Sequence, residues 1–113
     1  MDNRDKQVLQ KINDHIAAIF TYCKDCKNLD DFQTDKMRVE ACVFNLMQIG
    51  ELAKKTLSDD AKAQIKTIPW NQIYGLRNRI VHGYSGVNMQ IVWDTIKNDL
   101  SELKDEITDA LND

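Results

Sequence analysis

Within eight consecutive residues, Arg77-Asn78-Arg79-Ile80-Val81-His82-Gly83-Tyr84, the chain sets two arginines, an amide, an imidazole and a phenol. His15 is the other histidine. Arginine presents a planar fork of donors that matches phosphate oxygens. Histidine titrates near neutral pH and can move a proton in either direction. An Arg/His set with no carboxylate between its members suits binding and general acid–base chemistry at a phosphate.

The segment that carries these residues reads as a helix. Pro69-Trp70 is a favourable start, and Gly83 is a natural residue just past the end. On a helical wheel at about 100° per residue, Trp70, Ile73, Leu76, Ile80 and Val81 form the core-facing arc. Asn71, Gly75, Asn78 and His82 form the opposite stripe. That stripe is either an ordinary polar outer face or, with a bare glycine at its centre, a seat for a second helix across a two-fold axis. Arg77 falls at the edge of the core arc, so its stem packs and its head either snorkels out or finds a partner.

Arg77 and His82 are five residues apart, which separates their directions by about 140° on a helix. One chain would struggle to aim both at one phosphate. Two copies of the helix across a two-fold would gather both arginines and both histidines, so the spacing favours a composite site in a homodimer. His82 lies in the last helical turn, where the helix dipole favours imidazolium.

Before this segment, a first helix is expected over about Asn3–Cys26, with Val8, Leu9, Ile12, Ile16, Ile19, Phe20 and Cys23 on one stripe. His15 beside it reads as a structural or surface histidine. Asn28-Leu29-Asp30-Asp31 reads as a turn. A second helix is expected over about Thr34–Leu57, apolar nearly all round because Phe44, Met47 and Leu52 lie off the Val39, Cys42, Val43, Leu46, Ile49 and Ala53 side. It should be the central helix. Glu51 then stands among apolar neighbours and either reaches solvent or takes a cation, for which Arg77 is the best candidate.

Ser58-Asp59-Asp60 opens a short helix ending before Pro69. Tyr84-Ser85-Gly86 reads as loop. Asn88 caps a last helix carrying Ile91, Val92, Ile96, Leu100, Leu103, Ile107 and Leu111. The expected fold class is all-α: a helical bundle of four main helices plus one short helix, in a single domain over residues 1–113.

Composition is that of a globular protein, 42% hydrophobic and 29% charged, with a net charge of −3 that argues against a general nucleic-acid binder. The distribution is uneven. From Ala61 to Trp93 there is no Asp or Glu, while Lys62, Lys66, Arg77 and Arg79 fall inside that window. No apolar run is long enough for a transmembrane helix, and the polar N-terminus has no signal-peptide core, so the expected location is cytoplasmic. Cys23-Lys24-Asp25-Cys26 has C-x-x-C spacing, but without a second pair a zinc site is not expected, and with Cys42 these read as buried or half-buried free thiols. No metal and no cofactor are expected.

The eight-residue stretch reads R-x4-H-x-Y and resembles the signature of HEPN-domain proteins, more closely that of their HepT-like branch. Asn45-Leu46-Met47-Gln48-Ile49-Gly50-Glu51, Ile68-Pro69-Trp70 and Val92-Trp93-Asp94-Thr95-Ile96 resemble segments of the same branch, so the resemblance covers nearly the whole chain. It implies the toxin of a prokaryotic toxin–antitoxin pair of the HepT/MntA, type VII-like kind. Such a toxin is a homodimeric, metal-independent endoribonuclease. Its partner is an MntA-like nucleotidyltransferase antitoxin that adds AMP to the motif tyrosine. Carried onto this chain, the resemblance makes Arg77 and His82 catalytic, Asn78 an assisting residue and Tyr84 the AMP acceptor. Arg79 is either an RNA or partner contact or a solvated surface arginine. The alternatives are a non-catalytic subunit that binds a nucleotide or a nucleotidyltransferase, and a plain helical interaction module.

Overall fold

The computed structural model describes residues 1–65, 67–82 and 88–112, with Leu76 and residues 79–82 described by backbone alone. Among the described residues every regular element is helical. The α-helices are α1 (Asn3–Tyr22), α2 (Leu29–Gln33), α3 (Lys36–Glu51), α4 (Asp59–Gln64), α5 (Trp70–His82), α6 (Met89–Asp94) and α7 (Leu100–Leu111). Two π-helical turns, Leu52–Thr56 and Thr95–Asp99, extend α3 and join α6 to α7. The all-α expectation stands, with four long helical rods and, among the described residues, two short helices, α2 and α4, rather than one.

Helix α1 starts where Asp2 accepts the Asp5 N–H at 2.8 Å, an ordinary N-cap. Val8, Leu9, Ile12, Ile16 and Ile19 bury its inner stripe. It stops at Tyr22 rather than near Cys26. The orphan Tyr22 carbonyl accepts a 3.0 Å bond from Arg38 Nε, and Arg38 Nη1 donates to the Asp31 carbonyl at 2.8 Å. One side chain of α3 thus satisfies a carbonyl at the end of α1 and another in α2.

The expected turn at Asn28–Asp31 is instead the start of α2. Asn28 accepts the Asp31 N–H at 2.9 Å, while the Asp31 carboxylate accepts the Lys27 N–H at 2.9 Å. These reciprocal caps sustain five residues of helix because Phe32 is fully buried and stacks on Trp93, with ring centroids 5.5 Å apart. The polar Asn/Asp run looks like a turn because the same residue types cap helices.

Helix α3 is central: α1, α2 and α5 all pack on it. It is not buried all round, however. Phe44 is 56% exposed and Met37 80% exposed, seven residues apart on the outer face. Of the two readings of His15, structural or surface, the contacts favour the structural one: Asn45 Nδ2 donates to the Ala41 carbonyl, which leaves its Oδ1 to accept from His15 Nδ1 at 2.8 Å.

Ser58 caps α4, accepting the Ala61 N–H at 3.1 Å, and Asn88 caps α6, accepting the Gln90 N–H at 2.8 Å. Ile91, expected inside, is 37% exposed. The expected helix end at Gly83 and the expected loop at Tyr84-Ser85-Gly86 lie outside the described residues. Among the described residues no helix is long and apolar enough to cross a membrane.

Candidate functional site

Position 77 depends on how α5 is seated. Helix α5 packs on α3 and on the π turn that follows it. Two contacts set the depth. Tyr74 Oη donates to the Ala53 carbonyl inside the π turn at 3.2 Å. Gly50 faces the stem of Arg77, with no side chain of its own to hold the helices apart. Within the single chain the close approach between described helices is therefore at Gly50. Among the described residues nothing lies within 4 Å of a Cβ built on Gly75.

With its stem laid on Gly50, Arg77 meets the next residue of α3. Its Nε donates to Glu51 Oε1, and its Nη2 lies against the same oxygen. Its Nη1 donates to Asn78 Oδ1 at 2.8 Å. The other carboxylate oxygen of Glu51 pairs with Lys55 Nζ at 3.0 Å. The Arg77 side chain is 14% exposed and that of Glu51 28%. This is a half-buried charge cluster. Among the described residues, one N–H on each terminal nitrogen of Arg77 has no partner and could meet an anion.

Hydrogen bonding from Lys55, and after it from Arg77, holds the Glu51 carboxyl below its ordinary value, against the opposing effect of burial. Glu51 is thus an anion at neutral pH, and the guanidinium it holds is fixed in direction. A fixed cation costs no reorganisation when charge develops beside it.

Of the residues singled out from the sequence, the structure gathers Glu51, Arg77 and Asn78. The side chains of Arg79 and His82 and the whole of Tyr84 lie outside the described residues. The helical backbone carries position 82 to the last turn of α5. Lys55 was not anticipated, although its place four residues after Glu51 on one helix was the available signal. Cys23, Cys26 and Cys42 are free and buried, as expected. Among the described residues no group of three or more His, Cys, Asp or Glu is placed to hold a metal ion.

A family model described as Ribonuclease HepT-like matches residues 12–110. A protein of Thermococcus cleftensis named "Probable ribonuclease HepT" is 32% identical over 104 residues, covering 92% of this chain and 93% of the relative. A protein of Caldanaerobacter subterraneus subsp. tengcongensis named as a candidate RNase is 34% identical over 84 residues, 74% of each chain. A Methanocaldococcus jannaschii protein, also named as a candidate RNase, is 31% identical over 114 residues, covering 100% of this chain and 97% of its own. No solved structure matches.

Proposed function

Because the chain belongs to the Ribonuclease HepT-like family, we propose that it is the ribonuclease toxin of a toxin–antitoxin pair of the type VII-like kind, acting as a homodimer without a metal ion. The observation that carries the reading is the Arg77 guanidinium, clamped by Glu51 and Asn78 with donors still free, on the helix that ends at His82.

The chemistry follows from those groups. The RNA 2′-hydroxyl attacks the adjacent phosphorus and the bond to the 5′ oxygen breaks. His82 takes the 2′ proton, and a protonated His82 gives one to the leaving 5′ oxygen. In a two-fold dimer, the two copies of His82 divide these roles. Arg77 stabilises the charge that builds on the phosphorane oxygens. The products are a 2′,3′-cyclic phosphate and a 5′-hydroxyl. Arg79 contacts RNA or the partner.

Tyr84, two residues beyond His82, is the acceptor of AMP from an MntA-like nucleotidyltransferase antitoxin. An attached AMP would bring negative charge and bulk to the place where RNA phosphate binds.

The test is RNA cleavage by purified wild-type protein and by His82→Ala, with EDTA present throughout. Cleavage by the wild type alone, leaving cyclic-phosphate ends, is the expected result. Equal cleavage by both proteins, 5′-phosphate products, or loss of activity in EDTA would overturn the mechanism.

A further inference from the structure

At the opposite end of α3 from Glu51, three thiols converge where α1 ends. The C-x-x-C spacing suggests Cys23 and Cys26 as partners, yet the sulfur–sulfur contact is between Cys23 and Cys42, whose Sγ atoms are 3.6 Å apart and share a hydrogen bond. Cys42 lies on the buried face of α3 with no exposure. Cys23 is the C-cap of α1, one residue outside the regular helix. A disulfide requires the sulfurs to close to about 2.05 Å, and a residue at a helix end can move that far more easily than one inside a helix.

The surroundings favour reaction at Cys23. A cleft of about 290 Å³ reaches it, lined by Cys23, Cys26, Phe20, Trp93, Lys24 and Lys97. That volume admits a small oxidant. The Arg38 guanidinium is bonded to the carbonyl of Tyr22, the residue before Cys23. The hydrogen bond with Cys42 holds the Cys23 thiol below its ordinary value, and Arg38 adds to this. The same contact, together with burial, raises Cys42 far above its own. Electropositive, partly accessible surroundings are those of reactive cysteines.

We propose that Cys23 and Cys42 are a peroxide-sensitive modification site, in which Cys23 is oxidised first and Cys42 closes an intramolecular disulfide. The Cys23 thiolate attacks one oxygen of hydrogen peroxide. The O–O bond breaks, and the departing hydroxide takes a proton to become water. The Cys42 sulfur then attacks the sulfenic sulfur of Cys23. The S–O bond breaks, the S–S bond forms, and the Cys42 proton leaves with the hydroxide as a second water. Two thiols lose two electrons to one peroxide. Cys26, in the same cleft, is not part of the pair.

Peptide mapping tests this directly. Trypsin cuts after Lys11, Lys24, Lys27, Arg38 and Lys54, so the three cysteines fall on separate peptides, 12–24, 25–27 and 39–54. Reduced, folded protein is treated with hydrogen peroxide, alkylated, digested without reductant and analysed by mass spectrometry. The expected product is peptide 12–24 joined to 39–54 with two hydrogens lost, and released by dithiothreitol. Cys26→Ser should leave it unchanged. Cys42→Ser should abolish it and leave a Cys23 sulfenic acid that dimedone captures. A predominant link through peptide 25–27, a link between chains, or full recovery of alkylated thiols would overturn the proposal. The wild-type map and Cys26→Ser decide the matter even if Cys42→Ser fails to fold.

Discussion

Gly50 and Arg77 meet across the seam between α3 and α5: a Cβ built on Gly50 falls 2.5 Å from Arg77 Cβ and 2.8 Å from its Cγ. The Cβ is fixed by the backbone of α5, so no side-chain rotation relieves the closer contact. A methyl at position 50 must push the helices apart or tilt the arginine. Overpacking of this kind costs about 1–3 kcal/mol, and the better helix propensity of alanine returns at most about 1 kcal/mol. Gly50→Ala should therefore lower the thermal midpoint, by about 4–8 °C for each kcal/mol lost. It should also reduce RNA cleavage at temperatures where the fold is intact, because Arg77 no longer reaches Glu51 in register. Thermal unfolding and cleavage measured on one preparation check both. An unchanged midpoint would mean that the seam has room for a methyl at position 50.

Gly75 should behave differently. A Cβ there meets nothing within 4 Å among the described residues, so in the single chain Gly75→Ala gains about 0.5–1 kcal/mol of helix stability. If two copies of α5 pair along Asn71, Gly75, Asn78 and His82, the new methyl lies between them. The expected outcome is a protein that is at least as stable when dilute but self-associates more weakly, measured by sedimentation velocity over a concentration series. Unchanged self-association would remove this helix pairing from the proposed dimer.

The contrast between the two glycines shows what was legible before the structure. Wheel geometry put Arg77 at the edge of the core arc and Glu51 among apolar residues, and two misfit charges on neighbouring helices are strong reason to look for a pair. The glycine that lets them meet was not legible, because periodicity gives the faces of one helix and not the depth at which a second one sits. The π turn at Leu52–Thr56, which presents the Ala53 carbonyl to Tyr74, has no sequence signature of its own. Helix α2 was missed because caps and turns draw on the same polar residues, and only the burial of Phe32 against Trp93 separates them. Phe44 lies off the main apolar side of α3, as the wheel places it, and no other element covers it among the described residues.

Glu51 acts on the reaction through Arg77, which makes it a positioning residue. Glu51→Gln keeps the shape and removes the charge. Cleavage should fall by up to about 100-fold, the order of loss expected from misplacing a catalytic group, with the fold retained. Because the folded carboxyl is held below its ordinary value of 4.5, the pair is fully formed above that pH and is lost as pH falls through the lower, folded value. The activity ratio of wild type to Glu51→Gln should therefore be flat from neutrality to about pH 4.5 and shrink below it. A ratio that already shrinks between pH 7 and 5 would assign the effect to another group.

Asp5 links the start of α1 to the cap of α4. Its carboxylate accepts the Ser58 N–H at 3.0 Å and the Ser58 hydroxyl at 2.6 Å, while that hydroxyl accepts the Ala61 N–H. Asp5 is 5% exposed. The hydrogen bond from the Ser58 side chain, with its backbone N–H adding, keeps the Asp5 pKa below the ordinary 3.8 despite burial. Asp5→Asn should cost about 1–3 kcal/mol at neutral pH, read from urea unfolding midpoints, with cleavage per folded molecule unchanged. The sign of the pH dependence follows from the depressed value: the contribution is complete above pH 3.8 and disappears as pH falls through the lower folded value. The two proteins should converge in stability in strong acid. A constant gap would show that the variant acts through packing alone.

Tyr84 offers the sharpest separation between toxin chemistry and its control. Its hydroxyl is the proposed acceptor of AMP, and nothing in the cleavage steps uses it. Tyr84→Phe should therefore cleave RNA at close to the wild-type rate. Wild type incubated with an MntA-like nucleotidyltransferase and ATP should gain AMP and lose cleavage, because the added phosphate competes for the donors that Glu51 and Asn78 leave free on Arg77. Tyr84→Phe under the same treatment should gain no AMP and stay active. Intact-mass spectrometry and cleavage assays on the same samples read both properties. A variant silenced without modification would show inhibition by bound partner alone, and a variant that still takes up AMP would move the acceptor to another residue.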